Sequence, residues 1–247
     1  MTDPSLPCLV LVPGLACDAA VWQPVWPQLA AHSRPWVPPA GLQARIGEMA
    51  QALLDAAPAA QFALAGHSLG GRIALEVVRR APHRVLRLAL LDTGGHPLPE
   101  GAAGQAEAQQ RQALVALAQR QGMRAMARQW APPMLHPAHL ALPVFEDVLA
   151  MVARQTPERF QAQQQALLAR PDAWSLLPGI QQHTLVLCGE QDTWAPPERH
   201  RQMAAQLPHS HLVLVPDCGH MSPMEQPQAV AAALVQWLQH PHPTPTR

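Results

Sequence analysis

Phe62-Ala63-Leu64-Ala65-Gly66-His67-Ser68-Leu69-Gly70-Gly71 is the stretch on which the rest of the reading turns. Its first four residues form a short apolar run. After Ser68 the apolar residues switch to a helical spacing that continues to Arg80, just before Pro82. The joint reads G-x-S-x-G, placed where a strand should end and a helix begin. Such a turn lifts a serine hydroxyl clear of a sheet edge on strained backbone. Side chains at positions 66 and 70 would collide with neighbouring elements, which accounts for both glycines. The amide after the serine then faces any developing oxyanion, reinforced by the positive end of the helix.

Short apolar runs alternate with helical stretches on either side of this turn, the pattern of a parallel sheet with crossover helices. Strands are expected at 8–12, 35–37, 62–65, 85–91, 184–187 and 211–215, and helices at 46–57, 69–80 and 198–206. Several strands are unbroken Val/Leu/Ala runs, as suits a sheet covered on both faces. Ser222-Pro223-Met224-Glu225 has capping-box spacing, while Pro227 points to a main helix that starts later and runs to about Gln239. Between Gly94 and Ser175 no strand is convincing. Helical patterns at 105–121 and 158–170 are punctuated by Pro132-Pro133, Pro137 and Pro143, and the segment is too long for an ordinary connection. The expected organisation is a core of residues 1–93 and 176–240, a helical cap at 94–175, and a frayed tail at 241–247.

Composition removes several alternatives. All 17 basic residues are arginine, which excludes a phosphate-binding or Schiff-base lysine, and there is no tyrosine. No G-x-G-x-x-G is present, and formal net charge is +0. Nucleic acid and membrane surfaces are therefore not expected partners, and no cofactor or metal is expected. Cys8, Cys17, Cys188 and Cys218 form no C-x-x-C pair. The run 8–12 is too short for a signal or membrane segment, so a cytoplasmic location is expected.

Serine is a weak nucleophile without a positioned base and an orienting acid. Asp192 follows the run 184–187, and His220 follows the run 211–215. Both would stand at carboxyl ends of strands, where open α/β sheets carry their sites. Rivals for the acid are Glu190, Asp217 and above all Asp92, which ends the run 85–91.

These motifs, with Val12-Pro13-Gly14-Leu15, Asp18, Trp22 and Glu225-Gln226-Pro227, resemble the capped α/β-hydrolase superfamily of small bacterial esterases, lactonases and C–C hydrolases. The resemblance covers most of the chain and is least specific in the cap. It implies an α/β-hydrolase fold and an oxyanion hole from the backbone amides of Leu15 and Leu69. Two departures stand out. Pro13 replaces the family's usual histidine, a change expected to be tolerated because the donors lie beyond it. Only about seven residues precede the first strand, leaving no room for the usual N-terminal hairpin. A mostly parallel six-stranded sheet is therefore expected, with 35–37 at an edge, where Pro35, Pro38 and Pro39 are tolerated.

Within the cap, Met126 and Trp130, with Trp194 beyond the acid, are candidates for an apolar pocket wall. Arg124 and Arg128, spaced i, i+4, are candidates to clamp a substrate carboxylate, although a solvated helix face is the commoner meaning. The expected function is acyl-enzyme hydrolysis of a small ester, lactone or thioester. The alternatives are a C–C hydrolase or lyase-type synthase using the same residues, and a ligand-binding protein that keeps only the fold.

Overall fold

The structure, a computed structural model, describes residues 6–240. In chain order its strands and α-helices are β1 (Cys8–Val12), α1 (Trp26–Ala30), β2 (Arg34–Trp36), α2 (Ile46–Ala56), β3 (Phe62–His67), α3 (Leu69–Arg80), β4 (Val85–Leu91), α4 (Gly101–Gln121), α5 (Met123–Trp130), α6 (Pro143–Ala153), α7 (Pro157–Leu168), β5 (His183–Gly189), α8 (Pro197–Gln206), β6 (Ser210–Val215), α9 (Ser222–Glu225) and α10 (Pro227–Gln239). The expected tail, 241–247, lies outside the described residues.

All six strands run parallel in the order β2-β1-β3-β4-β5-β6. No strand precedes β1 among the described residues, and β2 forms one edge, where Pro35 faces no second neighbour. Burial on both faces explains the unbroken apolar strands: Leu9, Val10, Leu11, Leu64, Ala65, Leu88, Leu90 and Val186 are all shut off from solvent. Helices α2 and α3 pack together beside the sheet, and α1 packs against α10. The register aligns Val12 with Gly66 and His67 with Leu91, so β1, β3 and β4 end at one rim.

The segment between β4 and β5 holds α4–α7 and short 3-10 turns, with no strand among the described residues. Helix α6 lies outside the periodicities anticipated from sequence, whereas α5 carries the helix face on which Arg124 and Arg128 were placed. Each is short and starts beside a glycine or proline, at Gly122 and Pro143. No helix among the described residues is long and apolar enough to cross a membrane.

The S-x-x-E spacing does not form the expected capping box, because the helix is capped one residue earlier, at Met221. Glu225 does reach back to the Met221 amide at 3.1 Å. The Ser222 hydroxyl instead bonds Asp92, because a buried carboxyl on β4 outcompetes the local amide for it.

Candidate active site

Ser68 sits on the turn between β3 and α3 with φ 54°, a left-handed conformation that a serine holds only when its surroundings compel it. Those surroundings are explicit. The Ser68 amide donates to the Leu91 carbonyl at 2.9 Å, and the Thr93 hydroxyl donates to the Ser68 carbonyl at 2.6 Å. A Cβ on Gly66 would overlap the Gly70 carbonyl, and one on Gly70 would overlap the Val12 carbonyl. Close approach of backbone to backbone, not flexibility, is what these two glycines provide.

His220, on the loop after β6, places Nε2 2.8 Å from Ser68 Oγ and Nδ1 2.8 Å from Asp192 Oδ2. Asp192 is itself fixed, because its Oδ1 accepts from the amides of Trp194 and Ala195 at 2.8 and 2.9 Å. Burial pushes the Asp192 carboxyl up, but the charge and hydrogen bond of His220 outweigh it and hold the group below the usual carboxylate range. For His220 burial works downward, and the neighbouring charge and hydrogen bond of Asp192 prevail, raising the imidazole. The three side chains predicted from sequence thus converge at one rim in one hydrogen-bonded chain.

Leu15 and Leu69 both line the cavity beside Ser68. As the first residue of α3, Leu69 has an amide with no acceptor inside its own helix. The loop carrying Leu15 is pinned from above, since the Ala16 amide donates to Gln163 Oε1 of α7 at 2.9 Å.

Asp92, the rival acid, does not touch the imidazole of His220. It accepts from the Gly189 amide at 3.1 Å and from the Ser222 hydroxyl at 2.5 Å, joining the loops that carry Asp192 and His220. Burial, then the charge of Asp192, pushes its carboxyl well above the usual range. Asp92, Cys188 and Asp192 bring their ligand-type atoms within 4.8 Å of one another. Both carboxyls are already engaged in hydrogen bonds, however, and burial drives the Cys188 thiol upward, which makes a poor metal donor set.

Sequence reasoning missed a buried neighbour of this chain. His67 lies 2.8 Å from the His220 carbonyl through Nε2, and burial lowers it to about 3, so its ring is neutral and Nε2 donates. The residue preceding the serine in the motif was its only signal.

The cavity above Ser68 has a volume of about 480 Å³ and is walled by the sheet rim and the inserted helices. Trp130 and Trp194 line it, as expected, with ring centroids 5.5 Å apart. Val148, Met151 and Val152 of α6 supply an apolar side. Arg124, Arg128 and Met126 are corrections. On α5 the residues Met123, Met126, Ala127 and Trp130 form the buried stripe, which turns Arg124 and Arg128 to solvent. Arg124 pairs there with Glu146 at 2.6 Å, and Met126 is buried in the core rather than on the cavity wall.

A family model described as the alpha/beta hydrolase fold matches residues 7–227. The chain belongs to the alpha/beta hydrolase family. Among solved structures this alpha/beta hydrolase is similar to a thermophilic esterase from Thermogutta terrifontis in a malate-bound form. The TM-score is 0.85 at 28% identity, covering 98% of this chain and 92% of the esterase. Among curated proteins it is 31% identical to the dihydrolipoyllysine-residue acetyltransferase component of the acetoin cleaving system of Pseudomonas putida. That alignment covers 93% of this chain but only 63% of the relative's length. It is 28% identical to the 2-succinyl-6-hydroxy-2,4-cyclohexadiene-1-carboxylate synthase of Escherichia coli O1:K1, with 95% of each chain covered.

Proposed function

We propose that this alpha/beta hydrolase is a serine hydrolase cleaving a small ester, lactone or thioester through an acyl-enzyme. His220 takes the Ser68 proton as the hydroxyl attacks the carbonyl, and Asp192 stabilises the imidazolium. The Leu15 and Leu69 amides hold the oxyanion. His220 then returns its proton to the leaving group, and water releases the acid by the same steps in reverse. The inserted helices serve as the cap that selects substrate.

The observation that carries this reading is the unbroken chain from Ser68 Oγ through His220 to Asp192, opening on a cavity of enzyme size. A p-nitrophenyl ester series from acetate to decanoate, run on wild type and Ser68→Ala, tests it. Turnover in wild type that vanishes in the variant is expected; equal rates would remove the nucleophile assignment.

A second reading has one observation in its favour. Guanidinium groups line the cavity near Ser68, and the same triad could move protons on a carboxylated substrate in a C–C hydrolase or lyase-type reaction. Turnover of a carboxylated dicarbonyl with near-zero rates across the ester series would select that reading.

A further inference from the structure

Four arginines line the cavity, Arg72, Arg111, Arg170 and Arg199, against two acids, Glu107 and Asp92, and the raised Asp92 carboxyl is already engaged by Gly189 and Ser222. Glu107 is fully used. Its Oε1 accepts from Arg111 Nε at 2.8 Å and from Arg170 Nη1 at 2.6 Å, and its Oε2 accepts from Arg170 Nη2 at 2.8 Å. Burial alone would raise this carboxyl, but the hydrogen bonds of Arg170 and Arg111 pull it down to about 2.

Among the described residues Arg72 and Arg199 have no acidic partner. Arg72 donates to the His96 carbonyl at 2.8 Å, and Arg199 to the Trp194 carbonyl at 3.4 Å, both neutral acceptors. The two guanidiniums converge across Gly94. A Cβ at that position would stand 3.5 Å from Arg72 Nη2 and 3.5 Å from Arg199 Nη1. Burial, and after it the charges of Arg170, Arg199 and Arg111, lowers the Arg72 guanidinium to about 9. It stays protonated at neutral pH, and the charge of Glu107 offsets only part of the repulsion. Both side chains are only half-buried, so a small anion entering the cavity can reach them and supply the negative charge they lack.

Both arginines line the same cavity as Ser68 and His220. Arg72 is one helical turn past Ser68 on α3, and Arg199 is in the first turn of α8, beyond Asp192. The carboxyl ends of β3, β4 and β5 thus contribute Arg72, Gly94 and Arg199 in turn, while α6 walls the cavity with apolar side chains.

We propose that Arg72 and Arg199 form a carboxylate subsite, so that the preferred substrate joins the bond cleaved at Ser68 to a free acid group. A guanidinium is a strong donor to carboxylate oxygens, and one nitrogen from each of two neighbouring guanidiniums suits the two oxygens of one carboxylate. This assignment rests on Ser68 as the nucleophile, and the test separates the two claims.

Matched substrates are the mono-p-nitrophenyl ester of adipic acid and its methyl-capped neutral counterpart. Wild type should favour the free acid by about tenfold or more in kcat/KM, the effect of one or two hydrogen bonds to a charged group. In Arg72→Met and Arg199→Met the loss on the acid should exceed the loss on the methyl ester by about tenfold. Calorimetric binding of adipate to Ser68→Ala, compared with the same protein carrying Arg72→Met, gives a readout without turnover; binding should weaken in the double variant. Methyl phosphate binding as tightly as acetate would overturn the choice of carboxylate. Equal turnover of both esters, with adipate binding indifferent to Arg72, would overturn the subsite while leaving the hydrolase reading intact. Adipate bound in an Arg72-dependent way, with neither ester cleaved, would uphold the subsite and sink the nucleophile.

Discussion

Glu225 Oε2 stands 2.8 Å from Nδ1 of His139, joining the start of the last helical region to the inserted segment. The same oxygen accepts from the His136 amide at 2.7 Å, while Oε1 accepts from the Gly219 and Met221 amides on either side of His220. The His220 amide itself donates to the Met134 carbonyl at 2.6 Å. One buried carboxylate therefore fixes the imidazole-bearing loop and the helices above it as a unit.

Replacing Glu225 with Ala leaves the Gly219, Met221 and His136 amides without their acceptor. A loss of about 3 kcal/mol or more is expected in urea unfolding, since each buried unsatisfied amide costs about 1–3 kcal/mol. Unchanged stability would mean that the loop finds other partners.

On the proposed mechanism, the pH dependence of ester turnover follows from the raised imidazole of His220. Only the neutral ring accepts the serine proton, so kcat/KM falls as acid protonates it. A raised value moves that acidic limb above the ordinary histidine midpoint of about 6.5. In Asp192→Asn the limb should shift to lower pH and the rate should fall by about 10⁴-fold. Identical limbs in the two proteins would contradict the pairing.

Asp92 predicts a trend in stability instead. Its carboxyl is raised in the folded state, so the native protein holds that proton more tightly than the unfolded chain. The resulting stabilisation is complete below the unfolded value of about 3.9 and is lost as pH rises through the folded value. Asp92→Asn carries no such titration. Urea midpoints from pH 4 upward should therefore show wild type losing ground against the variant. Parallel curves would sink the idea.

Much of this was legible in sequence because local rules and tertiary packing agreed. The run 62–65, the helix 69–80 and the glycines at 66 and 70 obey one turn geometry, although the strand runs on to His67, and β1 and β4 were readable to the residue. Where packing overruled a local pattern, the sequence misled. Arg124 and Arg128 share a helix face, but only the placement of α5 could say that the face meets water. Arg72 carried a signal that was overlooked, four residues after Ser68 and hence on the same side of α3. The roles of Gln163 and His139 depend on contacts spanning 147 and 86 residues, respectively, which no local pattern encodes.

The most direct test of the account is labelling with a fluorophosphonate, read by intact mass and peptide mapping. A hydroxyl made reactive by a neighbouring imidazole should yield one adduct, on residue 68, with labelling strongly slowed in His220→Ala. Intact wild type that takes up no label, or takes it at another residue while His220→Ala reacts just as fast, would contradict the account.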